Sequence, residues 1–382
     1  MATLEELRTQ LDEIDNRMAE LYQMRMDVCQ QVGEYKVKAG RKVYDRPREK
    51  AKLADVASKV QGEFNKKGIK ELYSQLMSMS RKLQYQRLVE SGALGRLPFI
   101  QIDSLDKENA RVVFQGTEGA YGQAAMHQFF GDDVNCFHVR TFRDAMEAIE
   151  EGSADYAVLP IENSSAGPVN EMYDLLDEFE NYIVAETILP VVHTLSGLPG
   201  TKLSEIKRVY SKAEALMQTT RFLDDHSDWQ RISVVNTAIA AKKVLEDQDK
   251  AQAAVCSTYA AKLHGLEVLV DEINDEEDNS TRFIVVTNQK IFLKDASKIS
   301  IEFELPHESG SLYNILSHFI YNDLNMTKIE SRPVEGKQWE YRFFVDFDGN
   351  LEDAAVKNAI RGLREEARNL RILGNYSIDG QI

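Results

Sequence analysis

The 382-residue sequence predicts a multidomain protein with an all-α segment, an α/β segment and a smaller α+β segment, in that order. Apolar residues recur at helical spacing over residues 1–91, whereas apolar runs alternate with helical stretches over residues 109–288. The order strand, helix, strand, strand, helix over residues 297–382 is typical of a ferredoxin-like α+β fold. Residues 92–108 contain glycine and proline without periodicity, so we interpret them as a linker.

The composition is that of a globular protein. Hydrophobic residues make up 43% and charged residues 28%, which is near the average for globular domains. The three cysteines (Cys29, Cys136 and Cys256) contain no C-x-x-C pair, which excludes a disulfide framework and favours a reducing compartment. The first residues are acidic where a signal peptide would be basic, and no run of roughly 18 apolar residues occurs. We therefore expect a cytoplasmic protein with no membrane partner, and the scattered histidines predict no metal and no cofactor.

The first element is a long helix with a narrow apolar seam. Seam residues recur at alternating spacings of three and four: Leu4, Leu7, Leu11, Ile14, Met18 and Leu21. No glycine or proline interrupts the pattern before Gly33, so the helix spans about 30 residues or more, roughly 45 Å. One small domain cannot cover such a length, and we therefore expect a helical homodimer.

Arg25 occupies the next position of that seam. Burying an unpaired guanidinium is costly, so Arg25 either pairs with a carboxylate of the protein or binds one from a ligand. Residues 1–91 hold 18 Lys and Arg against 14 Asp and Glu, a net charge of +4 in a chain whose net charge is -16. The basic residues are densest over residues 36–52. They could form a solvated face or a pocket for a small anion, and the acidic balance of the whole chain disfavours nucleic acid.

Two further helices complete the all-α segment. Asp45 before Arg46-Pro47 predicts the start of the second, and the third is expected from about Ile69 to Val89, with Ser80 and Gln84 on one face. The polar residues of these helices resemble the all-helical class of chorismate mutase across residues 1–91. The matching positions are Arg8, Arg25, Lys36, Asp45, Arg48, Glu49, Ser80 and Gln84.

The resemblance implies an intertwined dimer in which Arg8 reaches the partner's site. Chorismate is a dianion that rearranges without an acid, a base or a nucleophile, so the enzyme has to hold it and stabilise charge on the breaking ether oxygen. Three arginines would bind the carboxylates, namely Arg8, Arg25 and Arg48. Lys36 and Gln84 would be the catalytic donors to the ether oxygen. The remaining contacts, to the substrate hydroxyl or to the cations, would come from Asp45, Glu49 and Ser80.

The α/β segment contains two unusual loops. Gly116 and Gly119 lie between a predicted strand (residues 111–114) and a helix, where backbone N–H groups can approach an anion. Residues 160–167 form a polar run after a second strand, predicted as a loop that could also cap a helix. These stretches, with Asn279-Ser-Thr-Arg-Phe283, resemble prephenate dehydratase.

This second resemblance covers residues 110–288 and implies two lobes like those of periplasmic-type binding domains, with prephenate in the cleft. Thr281 would donate a hydrogen bond to the departing hydroxyl as the catalytic residue. Substrate-binding residues would be Gly119, Tyr121, Glu162, Asn163, Ser164, Ser211 and Arg282. Two stretches, Gly122 and Lys212-Ala213-Glu214, depart from the usual family residues, which leaves open a central domain that only binds or is weakly active.

The C-terminal segment resembles the ACT regulatory domain. The matching motifs are His307-Glu-Ser-Gly-Ser-Leu312 and Glu330-Ser-Arg-Pro333. They lie among a predicted strand at residues 300–305, a helix at 311–321 and a strand at 341–347. The resemblance implies that L-phenylalanine binds at a dimer interface, lined by Gly310, Leu312, Glu330 and Ser331, and inhibits by feedback. A dimerisation module without a ligand is the alternative.

Together these patterns predict an enzyme of phenylalanine biosynthesis that converts chorismate to prephenate and prephenate to phenylpyruvate. Two other hypotheses remain at this stage. One is a chorismate mutase whose central domain has no dehydratase turnover, and the other is a module that uses its basic helices to bind nucleic acid or protein.

Overall fold

A computed structural model describes residues 2–90, 97–276, 278–334 and 336–378. The predicted linker at residues 92–108 therefore lies partly outside the described residues. The chain divides into two compact units, each built from two stretches of sequence. The first unit contains Met1–Leu97 and Ile301–Arg371, and the second contains Pro98–Ser300 and Ile372–Ile382.

The helices are, in chain order, α1 Leu4–Lys38, α2 Arg46–Ser58, α3 Glu63–Glu90, α4 Tyr121–Phe130, α5 Phe142–Glu150, α6 Asn170–Glu178, α7 Ala213–Met217, α8 Thr220–Asp224, α9 Thr237–Asp247, α10 Thr258–Leu263, α11 Ser311–Tyr321 and α12 Ala354–Glu366. The strands are β1 Ile100–Ile102, β2 Arg111–Gln115, β3 Asn135–Val139, β4 Tyr156–Asn163, β5 Gly167–Pro168, β6 Tyr182–Pro190, β7 Thr194–Gly197, β8 Arg208–Ser211, β9 Gln230–Ser233, β10 Gln252–Cys256, β11 Glu267–Val270, β12 Ser280–Thr287, β13 Ile291–Leu293, β14 Lys298–Glu304, β15 Met326–Pro333, β16 Tyr341–Asp348 and β17 Arg368–Tyr376. No helix among the described residues is long and apolar enough to cross a membrane.

The long first helix is confirmed. It begins after Thr3, whose side chain accepts the N–H of Glu6 in a capping box, and it runs for 35 residues. Asp45 caps α2 by accepting the N–H of Arg48 at 3.1 Å, which confirms the predicted start. The third helix begins at Glu63, six residues before the predicted start. The sequence pattern missed this first part, because residues 63–68 show no apolar residues at helical spacing.

The C-terminal part of the first unit has the order β14-α11-β15-β16-α12-β17, so the predicted β-α-β-β-α-β succession is confirmed. Its strands lie side by side in the order β15-β16-β14-β17, and β15 pairs antiparallel with β16. Helix α11 has the predicted bounds. The sequence pattern predicts that the second helix of this segment starts at Leu351, but α12 begins at Ala354. Both helices contact α3, so the two stretches of the first unit share one packed interior.

The second unit has the predicted α/β architecture with two larger sheets and a parallel two-stranded pair, β1-β13. One sheet has the order β6-β12-β4-β2-β3 with β5 beside β4, and the other has the order β11-β7-β10-β8-β9. Apolar clusters pack on the first sheet around Phe114 and Val158 and on the second around Val209 and Ala254. The chain passes between the sheets twice, after β6 and after β11, and these passages bring the two lobes together.

Two local predictions in the second unit differ from the structure. Residues 160–163 are the end of strand β4 rather than a loop, and they do not cap a helix, because α6 begins only at Asn170 with Val169 as its N-cap. The polar side chains Glu162 and Asn163 ended the apolar pattern, although their backbone continues to pair with β12. The apolar run at residues 232–235 predicts a strand that starts at Ile232, but β9 begins two residues earlier, at Gln230.

Candidate functional sites

The first candidate site lies on helices α1, α2 and α3. Arg25 Nη1 donates to the Leu76 carbonyl oxygen at 3.0 Å and to Ser80 Oγ. Ser80 Oγ in turn donates to the same carbonyl at 2.6 Å. No carboxylate of the described residues lies within salt-bridge distance of Arg25. The half-buried guanidinium therefore keeps an uncompensated charge beside neutral oxygens. Of the two options for Arg25, a carboxylate of the protein or one from a ligand, this arrangement favours the ligand.

Lys36 and Gln84, the two predicted donors, belong to the same helical group. Lys36 Nζ donates to the Val43 carbonyl oxygen at 2.6 Å, and burial lowers the pKa of this ammonium although Asp45, Glu365 and Glu49 act against the shift. Gln84 Nε2 donates to the Ser80 carbonyl oxygen at 3.1 Å, whereas its Oε1 is buried with no hydrogen-bond partner in the described chain. A buried unpaired amide oxygen is costly and indicates a place for a further donor.

Gly33 explains how α1 and α3 approach at this place. A Cβ at Gly33 would lie 3.0 Å from Cγ of Gln84, tighter than ordinary packing allows. The glycine therefore lets α3 bring Gln84 against α1.

Arg8 and Arg48, the other two predicted carboxylate ligands, are exposed. Arg8 lies 17 residues before Arg25 on the same helix, a distance of about 25 Å along its axis, so the two cannot bind one small molecule from a single chain. The apolar seam around Arg8 is also uncovered, with Leu7 46% and Leu11 57% exposed.

Arg81 was missed by the sequence patterns. Its side chain is buried, and Nη1 donates to both carboxylate oxygens of Glu49 at 2.6 Å, while Nε donates to Glu366 Oε1 at 2.8 Å. Burial acts to lower the pKa of this guanidinium, but Glu366 and Glu49 outweigh it and raise that pKa. The available signal was the adjacent pair of cations, Arg81 and Lys82, in the third predicted helix, but neither partner of Arg81 could be read from the sequence.

The second candidate site lies at the end of β4 in the second unit. Strands β4 and β12 pair antiparallel with Thr281 opposite Asn163 and Arg282 opposite Glu162, next to a bulge before Phe283. Asn163 Nδ2 donates to Thr281 Oγ1 at 2.9 Å and to Asn279 Oδ1 at 2.9 Å. A hydroxyl that accepts through its oxygen still has its proton to give. The geometry leaves Thr281 able to donate to a bound molecule.

The loop around this pair is fixed by hydrogen bonds. Asn163 Oδ1 accepts the N–H groups of Ser165 and Ala166 at 3.1 and 2.9 Å. Ser164 Oγ donates to the Asp278 carbonyl oxygen at 3.1 Å and accepts the Ser280 N–H at 2.9 Å. The predicted residues Asn163, Ser164 and Thr281 are thus brought together in one bonded group.

Arg282 lies between carboxylates of the protein. Its guanidinium is 3.7 Å from Glu162 and 3.4 Å from the fully buried Glu186, which Lys298 also contacts at 2.9 Å. Because its charge is already compensated, Arg282 is suited to support this part of the sheet rather than to bind a free anion.

Residues of both lobes meet at Tyr121. Its hydroxyl donates to the Val192 carbonyl oxygen at 2.8 Å and lies 3.3 Å from Nδ1 of His193, whose Nε2 is 3.0 Å from Gln218 Oε1. Burial lowers the pKa of His193, although the contact to Gln218 acts against it. Gly119 lies just before helix α4, which begins at Tyr121, and its φ of 86° favours glycine.

Ser211, also predicted as a substrate contact, is fully buried. Its Oγ donates to the Val255 carbonyl oxygen at 2.6 Å inside the second lobe. The structure does not bring it to Thr281, and its role in substrate binding stays a prediction.

A cavity of ≈ 330 Å³ lies in the C-terminal part of the first unit. It is lined by the loop before α11 and by β16, including His307, Leu312 and Phe343. Gly310 has a φ of 82° and begins α11. Glu330 and Ser331 are not among the lining residues, but they pair on β15 with Phe344 and Phe343 of β16.

Two protein families match the chain: chorismate mutase type II over residues 7–85 and prephenate dehydratase over residues 112–291. The "Bifunctional chorismate mutase/prephenate dehydratase" of Aquifex aeolicus is 32% identical over 378 residues, which cover 98% of each chain. The structure of a prephenate dehydratase from Arthrobacter aurescens in complex with L-Phe is 33% identical with a TM-score of 0.65, covering 70% of this chain and 89% of that one. A structure described as "GqqA- a novel type of quorum quenching acylases" is 30% identical with a TM-score of 0.66, covering 71% of this chain and 98% of that one.

Proposed function

Because the chain belongs to the bifunctional chorismate mutase/prephenate dehydratase family, we propose that the helical site rearranges chorismate and that the Asn163–Thr281 site converts the resulting prephenate to phenylpyruvate. The chain carries both enzymatic domains. The observation that supports the first step best is Arg25, a half-buried cation that contacts neutral oxygens of the protein and no carboxylate of the described residues.

The mutase site acts by binding and charge stabilisation. Arg25 holds one carboxylate of chorismate, and Arg48 and the partner's Arg8 hold the rest of the dianion. Lys36 and Gln84 donate to the ether oxygen as negative charge builds on it in the transition state. Asp45 and Glu49 accept a hydrogen bond from the substrate hydroxyl or orient the cations, and Ser80 orients Arg25.

The active mutase is a homodimer. The seam of α1 is more than 40% exposed at Leu4, Leu7, Leu11, Ile14, Met18 and Leu21, and a second copy of the helix would cover it. An intertwined arrangement supplies Arg8 from one chain to the Arg25 of the other. This accounts for two arginines of one predicted site standing about 25 Å apart on a single helix.

The dehydratase step removes the ring hydroxyl as water and the ring carboxylate as carbon dioxide, and aromatisation drives it. The C–O and C–C bonds break, and the departing hydroxide takes up a proton. Thr281 donates a hydrogen bond to that hydroxyl, and Asn163 sets the direction of the Thr281 proton by donating to Oγ1. Threonine is a very weak acid, so it assists departure without being the final proton source. The lobes enclose prephenate beside Tyr121.

The departure at Gly122 has a steric explanation. A Cβ at this position would lie 3.1 Å from the carbonyl oxygen of Gln115, so the turn after β2 in this chain leaves little room for a side chain. The glycine is therefore explained by local packing, and phenylpyruvate formation from prephenate decides between turnover and a central domain that only binds.

The C-terminal β-α-β-β-α-β segment is an ACT domain that binds L-phenylalanine and reduces dehydratase activity. The cavity beside Leu312, with Gly310 at the start of α11, supports this assignment, and Glu330 and Ser331 complete the site at a dimer interface. The domain limits are those of the sequence analysis, at residues 1–91, 109–288 and 297–382. We place the protein in the cytoplasm, because its three cysteines are all free thiols.

The test measures chorismate consumption and phenylpyruvate formation by the full chain, with and without L-phenylalanine. Arg25→Ala should lower chorismate turnover about 100-fold or more, since it removes a charge-assisted contact to the dianion. Arg17→Ala, on the same helix outside the seam, is the matched control and should consume chorismate at the normal rate. Phenylpyruvate formation from added prephenate should persist in both variants. Normal chorismate turnover by Arg25→Ala would refute the mutase site.

A further inference from the structure

Two carboxylates end helix α12 where its own dipole disfavours them. Glu365 and Glu366 occupy the last turn, at the carbonyl end of the helix, which carries partial negative charge. Acids in this position need donors from elsewhere, and α3 and the segment before α2 supply them. Glu365 Oε2 accepts the Tyr44 N–H at 2.9 Å and the Tyr85 hydroxyl at 3.0 Å.

Glu366 binds deeper, at Arg81. Its side chain is 8% exposed, as is that of Arg81, and the Oε1 to Nε distance is 2.8 Å. His318 of α11 lies 3.1 Å from the same carboxylate oxygen. A Cβ at Gly362 would overlap the His318 ring, so the glycine lets that ring lie flat against α12. Glu366 is thus held from both sides.

Arg81 extends this contact to Glu49. One guanidinium is shared by two carboxylates, one from α12 and one from the first turn of α2. Nη1 contacts both oxygens of Glu49, which fixes the carboxylate plane, while other lone pairs of the Glu49 carboxylate stay open to a substrate hydroxyl. Without Arg81, Glu49 would lose its only salt bridge among the described residues.

We propose that Arg81 is a positioning residue of the mutase, which Glu366 of the C-terminal segment anchors so that Glu49 is held ready for chorismate. The inference rests on the proposed mutase function of the helical site. It makes the C-terminal segment a structural part of the mutase, in addition to its proposed role in binding L-phenylalanine.

Removing one partner alone would leave a buried charge and could unfold the unit, so the main test removes both. Arg81→Met/Glu366→Met replaces the buried pair with apolar side chains of similar length, a change that is often tolerated in stability. We expect a thermal midpoint close to that of the unchanged protein and a KM for chorismate raised about 5-fold, as expected from the loss of one positioning hydrogen bond. The kcat should change less than about 2-fold.

The KM separates positioning from a merely structural role. Partial unfolding would lower the concentration of active enzyme and hence the apparent kcat, leaving KM unchanged. In a Glu49→Gln background the double substitution should add no further increase in KM, because the group it positions is already altered. Glu352→Met/Lys357→Met, which removes an exposed ion pair beside and within α12, is the matched control and should leave KM unchanged.

An unchanged KM in the folded Arg81→Met/Glu366→Met variant, or an undiminished increase in the Glu49→Gln background, would overturn the proposal. If that variant does not fold, Arg81→Lys keeps the charge but loses the forked geometry, and a KM equal to that of the unchanged protein would count equally against it. Failure of the mutase function itself is distinguishable, since the unchanged protein would then not consume chorismate at all. Phenylpyruvate formation from prephenate reports that the rest of each variant is intact.

Discussion

At the scale of single residues, the hydrogen bonds that a side chain makes within the protein decide whether it can still donate to a substrate. Ser211 and Thr281 are both hydroxyls predicted at the dehydratase site. Ser211 gives its proton to the Val255 carbonyl oxygen, whereas Thr281 accepts from Asn163 and keeps its proton. The difference could not be read from the sequence, because it depends on neighbours 44 and 118 residues away.

Thr281 should tolerate only another hydroxyl. Thr281→Val has nearly the same shape but no proton to donate, so phenylpyruvate formation should fall about 100-fold or more. Thr281→Ser keeps the hydroxyl and should retain a large part of the phenylpyruvate-forming activity. The measurement is phenylpyruvate production from prephenate, and chorismate turnover by the same variants is the internal control. Substantial dehydratase activity in Thr281→Val would contradict the role of the hydroxyl.

Glu302 should make the first unit less stable as the pH rises. It is buried on β14 with Oε2 unpaired among the described atoms, and burial raises its pKa to about 7, with Arg371 opposing and Glu304 adding to the shift. Between about pH 4.5 and 7 the unfolded chain loses this proton and the folded chain keeps it. The free energy of unfolding therefore falls over that window, by up to about 3 kcal/mol.

Glu302→Gln removes that titration. Urea unfolding at pH 4.5 and at pH 8 should show the variant gaining stability relative to the unchanged protein only at the higher pH. An equal effect at both values would mean that Glu302 is charged in the folded state throughout.

At the scale of elements, apolar patterns located the apolar face of each element, whether it is buried in a core or, as in α1, exposed along a seam. Helix α1 was predicted over its length because its seam is regular, and α11 was predicted to the residue. Strand β4 was predicted only to Leu159, because the next residues turn polar side chains toward the candidate site while their backbone stays paired. The start of α3 was missed for the same reason, since Phe64 is 89% exposed and residues 63–68 bury nothing.

A charge placed in the apolar seam of α1 should disrupt its packing against α1 of the second subunit. Leu11→Glu places a carboxylate in the proposed α1 interface, so sedimentation should show a weaker dimer, held only through the C-terminal segment. Chorismate turnover should fall, because Arg8 no longer reaches a second site. Gln10→Glu adds the same charge one position outside the seam and should remain a dimer. A dimeric Leu11→Glu variant with normal turnover would contradict the interface.

At the scale of the whole molecule, the sequence predicted the order of segments, and the roles of the candidate site residues stay predictions. It could not predict that residues 1–97 and 301–371 form one unit, because that depends on pairs such as Arg81 and Glu366, which lie 285 residues apart. Neither residue belongs to a motif. Their pairing becomes evident only when α12 packs on α3.

The proposed regulation implies reciprocity between ligands. If L-phenylalanine weakens prephenate binding by some factor, prephenate weakens L-phenylalanine binding by the same factor. The Thr281→Val variant allows the test, since it should bind prephenate while consuming it only slowly. Calorimetric titration of L-phenylalanine with and without saturating prephenate should give different dissociation constants. Equal constants would show that the two sites are not coupled.

The division of the first unit between the two ends of the chain has a consequence for biosynthesis. About 200 residues separate its two stretches, and a ribosome adding about 5–20 residues per second needs roughly 10–40 s to translate them. During that interval the nascent helices expose Arg81, Lys82 and Tyr85 to water, because the residues that bury them do not yet exist. Helices α1 to α3 therefore leave the ribosome well before α11 and α12, and their buried contacts form only after those later helices have been translated.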